Sequence, residues 1–308
     1  MLTHVMHREM EKYKFENRIK FTKKENELLN NSNDLIILSF KTVDKFNFMR
    51  SRSLQIKANQ FKNQIIKIYE LLSEDQKKNM KRIYITFYPI DIVKVIPKPN
   101  FKFGVEHINS GFSSFYHDIV YIHIFRMEES LKVLTHELIH AFMFHCVHKS
   151  SFDSNIQLPN YNKTLEPEQK LDEALVETWA ILLTFEEEDI KMNHTPFSIM
   201  QAAKILKKFH CNDFESFWNP DVSLHTLIPQ TPHLFPYYIL KSAFLYQIDK
   251  FKERFPLNNI SECGKFSFKD IVPFIENQEW IDKINHDIKT PPYPKNSLLA
   301  QTMRMTPF

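Results

Sequence analysis

The sequence predicts an α+β protein with a small mixed sheet, a mostly helical C-terminal lobe and a helical N-terminal extension. Residues 82–96 and 119–125 are rich in the branched and aromatic residues that favour strands. Elsewhere apolar residues recur at helical spacing, most clearly over residues 53–72 and 236–251. With 308 residues, 43% of them hydrophobic, the chain can bury a large core, as one domain or as two joined lobes.

Three segments are expected along the chain. Residues 1–80 form the helical extension, because residues 3–29 have the pattern of a charged helix and residues 53–72 that of an amphipathic one. Residues 81–190 hold the sheet and the central helices. Residues 191–308 form the helical lobe.

A hairpin is expected within the sheet. Residues 103–107 and 119–125 are predicted to be its strands, and Asn109, Ser110 and Gly111 begin the connection between them. The second strand leads into residues 127–148, an apolar segment that has the pattern of a helix buried in the core.

The C-terminal lobe is predicted from helical segments and prolines. Helices are expected over residues 198–209, 236–251 and 266–288, and Pro236 suits the first position of its helix. The last residues, which follow three prolines close together after residue 290, are expected to form a surface strap or a flexible end.

Composition excludes some classes of protein and indicates a compartment. Only three glycines occur and no GxGxxG or P-loop pattern is present, so a glycine-rich phosphate-binding loop is excluded. The N-terminus is charged, which argues against a signal peptide, and no run of 18 apolar residues predicts a membrane span. The three cysteines, Cys146, Cys211 and Cys263, are widely spaced without CxxC. An intracellular, cytoplasmic protein is therefore predicted.

Charge is unevenly distributed along the chain. Residues up to Lys102 carry a net charge of +10, and the remainder carries −7. A basic first third could meet an acidic partner, a membrane surface or nucleic acid. The lysines are interspersed with glutamates and show no ordered aromatic stacking pattern, so a solvated face is favoured and a nucleic-acid partner is not expected.

The strongest chemical signal is the pentapeptide HELIH within residues 127–148. Four residues on a helix turn the chain by roughly one full turn, so His136 and His140 point the same way and can hold one zinc ion. Glu137 then lies beside the metal. Its carboxylate can take a proton from a water molecule whose pKa the metal has lowered to about 7.

A zinc ion in a hydrolase needs a third protein ligand, while its fourth position stays open for water or substrate. The segment LDEALVETWAILL carries Glu173 and Glu177 four residues apart on one face of a predicted apolar helix. Glu173 is predicted to be the third ligand. Glu177 is predicted to accept a hydrogen bond from the other ring nitrogen of a ligand histidine. The alternative is a solvated glutamate pair that flanks a core helix.

These two motifs together resemble a known family. HELIH followed by LDEALVE is similar to the gluzincin branch of zinc metallopeptidases, in which HExxH on one helix is completed by a glutamate on a second. The resemblance covers about 50 residues. It implies a zincin-like core, with His136, His140 and Glu173 as ligands and Glu137 as general base. The metzincin pattern is excluded, because no glycine stands three residues after His140 and the residue six after His140 is Cys146.

A wider resemblance covers about half of the chain. The segments INSGFSSF, IFRMEESLKVLTHELIHAF and YYILK are similar to uncharacterised metallopeptidases of large DNA viruses, which implies a viral protein. The gluzincin resemblance also implies that an extended substrate pairs with the edge of a sheet. That edge would be formed by residues 119–125 or by residues 109–114.

The resemblance implies zinc-dependent hydrolysis of peptide bonds in a protein or peptide substrate, with Glu137 as base and then as acid. An endopeptidase is preferred on general grounds. One alternative is a carboxypeptidase or aminopeptidase that trims a protein terminus. Another is a non-catalytic binding protein that keeps the zincin fold.

A donor to the oxyanion is also implied by the resemblance, since gluzincins use a tyrosine or histidine downstream of the third ligand. Tyr238 is the predicted donor, because it lies near the start of a predicted helix and off the apolar stripe that contains Tyr237. Tyr237 is expected to belong to the core. His233 is the alternative donor, and Tyr238 as a half-buried aromatic without a chemical role is the other interpretation.

Overall fold

The structure is a computed structural model that confirms an α+β fold. It describes residues 4–29, 35–97, 105–147, 156–157, 164–165, 172–218, 234–257, 268–294 and 297–307. The chain forms two compact units, Met1–Val93 with Asn109–Phe144, and Lys94–Ile108 with His145–Phe308. The predicted three-part division of the chain at residues 80 and 190 stays a prediction.

The first unit is built on a five-stranded mixed sheet with the strand order β1-β2-β3-β5-β4. β2, β3 and β5 run parallel, whereas β1 and β4 are antiparallel to their neighbours. Alternate residues of β3 and β5 are buried, as expected of strands that pack one face on a core. The strands are β1 Phe15–Ile19, β2 Ile36–Thr42, β3 Arg82–Phe87, β4 Gly111–Tyr116 and β5 Ile119–Ile124.

The helices of the first half include one long amphipathic helix, α4, which confirms the prediction for residues 53–72. Its buried face includes Phe61, whose ring contacts those of Phe40 in β2 and Phe87 in β3 at centroid distances of 5.5 and 5.1 Å. The helices up to residue 147 are α1 His4–Met10, α2 Lys23–Leu28, α3 Asn47–Arg50, α4 Arg52–Glu70, α5 Glu74–Lys78, α6 Val105–Ile108 and α7 Ser130–Val147.

The prediction of a single charged helix over residues 3–29 is wrong, because β1 interrupts it. β1 exposes most of its residues, which hides the strand from an apolar pattern. Its pairing with β2 is supported by Glu16, whose carboxylate accepts hydrogen bonds from Ser39 (2.8 Å) and Lys41 (2.7 Å). Because polar contacts across the strands stabilise β1, its sequence can be as charged as that of a solvated helix.

The predicted hairpin exists, but its first strand is wrong. Residues 105–108 form helix α6, and the strand that pairs with β5 is β4, which lies in the predicted connection between the strands. The turn is only His117 and Asp118, with His117 at φ 44°. Serines and a glycine in β4 gave it the composition of a loop, although Phe112, Phe115 and Tyr116 favour a strand.

Helix α7 is anchored to α4 within the first unit. The Gln64 side chain donates a hydrogen bond of 2.8 Å to the hydroxyl of Thr135, and Thr135 donates in turn to the carbonyl of Leu131. Both Gln64 and Thr135 are buried. Because a buried hydrogen bond is strongly directional, it fixes the rotation of α7 just before the HELIH segment.

The second unit is helical in most of its described part. It includes a short two-stranded ladder, β6 Ile156–Gln157 with β7 Thr164–Leu165. π-helical turns occur at Ile190–His194 and Phe235–Leu240. Its later α-helices are α8 Asp172–Thr184, α9 Glu187–Asp189, α10 Thr195–Lys208, α11 Lys241–Tyr246, α12 Ile248–Arg254, α13 Val272–Ile275, α14 Gln278–Lys289 and α15 Leu298–Gln301.

The C-terminal end is a strap, and part of it is buried. Thr302 forms an isolated antiparallel bridge with Val95, and both Met303 and Met305 are almost fully buried. The sequence suggested a surface strap or a flexible end, whereas the described residues 297–307 are held against the second unit. Within the described residues, no helix has the length and apolar character needed to cross a membrane.

Candidate metal and catalytic site

Helix α7 presents the three residues of the HELIH motif, all of them buried. His136, Glu137 and His140 are 6, 6 and 8% exposed. The residue before the helix, Glu129, adopts φ 58°, and its carbonyl accepts the amide of Val133 at 2.9 Å. The helix begins at the next residue, Ser130.

Glu137 lies beside the first residue of β4. A Cβ atom at Gly111 would lie 3.4 Å from the Glu137 Oε1 atom, 2.7 Å from a methyl group of Val133 and 3.0 Å from the carbonyl oxygen of His123. Residue 111 therefore has to be glycine for β4 to approach α7 this closely. The sheet edge and the Glu137 carboxylate are brought together by this contact.

Helix α8 carries the second set of candidate residues. Glu173 and Glu177 are 7 and 1% exposed, and most other residues of α8 are buried as well, which contradicts a solvated pair. The Lys241 Nζ atom, itself buried, lies 3.9 Å from Glu177 Oε1. This cation helps to stabilise the buried carboxylate of Glu177. The predicted hydrogen bond from a ligand histidine to Glu177 stays a prediction.

The ligand atoms of His136, His140 and Glu173 all lie within 4.8 Å of one another, and this buried group could hold a metal ion. The two Nε2 atoms of the histidines are 3.0 Å apart. Two nitrogens bound to one tetrahedral zinc ion at 2.0–2.1 Å would be separated by about 3.3 Å. The spacing and the donor set, two imidazoles and a carboxylate, are therefore compatible with one bound metal ion.

A tyrosine contacts the predicted third ligand. The hydroxyl of Tyr237 donates a hydrogen bond of 3.0 Å to Glu173 Oε2, and Tyr237 is only partly buried. The prediction that Tyr237 belongs to the core is therefore wrong. Tyr238, the predicted oxyanion donor, has no exposed surface, and its hydroxyl donates to the carbonyl of Met303 at 2.5 Å. Its role as a donor stays a prediction, and that role would require this hydrogen bond to break.

The local helix type affects the faces on which Tyr237 and Tyr238 lie. Phe235–Leu240 is a π-helix, in which each residue turns the chain by less than in an α-helix. Faces assigned with the α-helical period are therefore shifted in this segment. The alternative donor, His233, lies outside the described residues.

Three residues near the candidate site were missed by sequence reasoning: Gly111, Tyr237 and Lys241. The scarcity of glycine was a usable signal, since Gly111 is one of only three in the chain. A lysine within the apolar segment 236–251 was another, because burial of a lysine requires a partner.

Comparison of the chain with protein-family models, characterised proteins and solved structures gives no match.

Gly111→Ala is expected to destabilise the protein by about 1–3 kcal/mol, because the added methyl group overlaps Val133 and the backbone of β5. Urea denaturation measures this change. Val133→Ala in the same chain removes the nearest contact, so the double variant should be more stable than the sum of the two single changes predicts. Ser113→Ala, in the same strand, is the matched control. Full additivity of Gly111→Ala and Val133→Ala would contradict the close approach of β4 and α7.

Proposed function

We propose that the protein is a zinc-dependent peptidase that hydrolyses peptide bonds within a protein or peptide substrate. The observation that carries this proposal is the buried group of His136, His140 and Glu173, with Glu137 on the same helix as both histidines. Buried imidazoles and carboxylates in one cluster are costly to maintain without a cation. A catalytic metal centre accounts for all four residues at once.

Zinc is the proposed metal because of the ligand chemistry. Two imidazole nitrogens and one carboxylate are a donor set of catalytic zinc sites, which leave a fourth position for water or substrate. Calcium and magnesium prefer sites made of oxygen ligands only. The imidazoles of His136 and His140 therefore argue against both of these ions.

Glu137 is the proposed general base. When bound, zinc would lower the pKa of a water molecule and polarise the carbonyl group of the substrate. The Glu137 carboxylate takes a proton from the attacking water and then delivers that proton to the leaving amine. Its burial at 6% exposure keeps bulk water away, which strengthens its interaction with the reacting groups.

The class of substrate is proposed from the position of β4. β4 stands at one end of the strand order, whereas β5 is paired on both sides. Of the two segments considered for the substrate edge, residues 109–114 overlap β4 and are therefore supported. An extended peptide could pair with β4 through backbone hydrogen bonds, and the contact at Gly111 would bring it next to Glu137.

Tyr237 is the proposed donor to the developing oxyanion, in place of Tyr238. The Tyr237 hydroxyl is already 3.0 Å from Glu173, a proposed ligand, and can change its acceptor from that carboxylate to a substrate oxygen. The Tyr238 hydroxyl is occupied by a backbone carbonyl in a fully buried position. Hydrogen bonds that are made only in the transition state accelerate the reaction.

Purified protein is expected to contain about one zinc ion per chain, which a chelator removes. His136→Ala, His140→Ala and Glu173→Ala should each lose most of this zinc, because three protein ligands are needed for a stable site. Elemental analysis after gel filtration measures the content. His286→Ala, at an exposed histidine in α14, is the control. Full zinc retention in any of the three ligand variants would contradict the proposed ligand set.

Glu137→Gln is expected to keep both zinc and fold while it abolishes turnover, because an amide cannot accept the proton of the attacking water. Mass spectrometry of the products from a peptide library measures the activity and also separates internal cleavage from trimming of a terminus. Glu74→Gln, at an exposed glutamate of α5, should leave activity unchanged. A Glu137→Gln protein with activity close to that of the parent would show that another group is the base.

Tyr237→Phe is expected to lower kcat by about 10²–10³-fold at saturating zinc, because one oxyanion donor is removed. Tyr238→Phe is the matched control, and it should mainly reduce stability, by about 1–2 kcal/mol, through loss of a buried hydrogen bond. Steady-state kinetics and urea denaturation of both variants separate the two effects. The opposite result, with kcat reduced only in Tyr238→Phe, would restore Tyr238 as the donor.

A further inference from the structure

The C-terminal strap, defined as residues 298–306, is held mainly through its backbone. Side chains of the second unit donate hydrogen bonds to successive carbonyl groups of the strap. These are Lys204 to Leu299 (2.8 Å) and to Thr302 (2.5 Å), Tyr238 to Met303 (2.5 Å), Gln201 to Arg304 (2.8 Å) and Lys241 to Met305 (3.2 Å). Chain ends are usually poorly ordered unless they are tied down in this way.

Two of the donors to the strap are buried lysines. Lys204 and Lys241 are 6 and 1% exposed, and burial lowers the pKa of Lys204 to about 7. Burial of lysines is unfavourable, so their use here has to be offset by the contacts that they make. Backbone pairing adds to these contacts, since Met303 donates to the carbonyl of Lys94 at 2.8 Å and Ile96 donates to that of Gln301 at 2.7 Å.

The segment that contacts the strap also contacts the glutamates of α8. Lys241 lies 3.2 Å from the strap carbonyl of Met305 and 3.9 Å from Glu177. Four residues earlier, Tyr237 donates to Glu173, while its neighbour Tyr238 donates to the strap. One short helical segment is therefore fixed by the strap on one side and holds both glutamates on the other.

We propose that Lys241 is a positioning residue through which the C-terminal strap holds α8, and with it Glu173, in place. The effect of the strap on zinc binding rests on the proposed function, whereas its effect on the position of α8 does not. If the strap loses its contacts, Lys241 loses one of its acceptors and the Phe235–Tyr246 segment loses the contact made by Tyr238. Glu173 and Glu177 then become less well oriented, and zinc is bound more weakly.

The test compares full-length variants by hydrogen exchange of the α8 amides without metal, and by zinc affinity from competition with a chelator. Lys241→Met should speed exchange in α8 and weaken zinc binding by about 10–100-fold, as changes to residues that orient ligands do. Lys204 also contacts the strap, but it is not bonded to either glutamate. Lys204→Met should therefore also speed α8 exchange and weaken zinc binding. Lys241→Arg keeps the charge and should restore most of the affinity.

Lys207→Met is the matched control. Lys207 lies one turn after Lys204 on α10, but it donates to the carbonyl of Ile288, outside the strap. Faster α8 exchange in Lys204→Met than in Lys207→Met supports the proposal, whereas equal exchange in the two variants overturns it. This comparison holds even if Lys241→Met fails to fold. A parent protein that binds no zinc would refute the proposed function, while the exchange comparison would still decide the role of the strap.

Discussion

Burial of ionisable side chains within apolar helices is the constraint on which the rest of the site depends. Glu137, Glu173 and Glu177 are 6, 7 and 1% exposed, and an uncompensated carboxylate at such positions costs several kcal/mol. Each therefore needs a cation or a hydrogen-bond donor nearby. Lys241 serves Glu177, and Tyr237 serves Glu173. A divalent cation bound by the two histidines and Glu173 would supply the largest compensating charge, and it would then contribute to the stability of the site.

The grouping of His136, His140 and Glu173 could be predicted from the sequence because its geometry is mostly local. The spacing of His136 and His140 needs only a helix to bring both rings to one side, and the apolar residues around them specify that helix. The same holds for Glu173, which stands in a segment too apolar to be a solvated helix. Only the meeting of these residues in one group, with ligand atoms within 4.8 Å of one another, had to come from the tertiary structure.

The elements that the sequence did not predict depend on contacts between distant parts of the chain. β1 is a charged segment that is a strand because it pairs with β2. β4 has the composition of a loop, and it is a strand because it pairs with β5. The faces of Tyr237 and Tyr238 depend on a π-helix, which an α-helical period cannot reveal. The C-terminal strap is held by hydrogen-bond donors some 60–100 residues earlier in the chain, so no local sequence pattern predicts its burial.

X-ray absorption spectroscopy at the zinc edge of the metal-loaded protein identifies the atoms bound to the metal. If His136, His140 and Glu173 are the ligands, the spectrum contains two imidazoles and carboxylate oxygen at about 2.0–2.2 Å, with no sulfur ligand. Glu173→Ala should remove the carboxylate contribution and leave the two imidazoles wherever zinc can still be loaded. A sulfur scatterer at about 2.3 Å, or a site with no imidazole, would contradict the assignment of His136, His140 and Glu173.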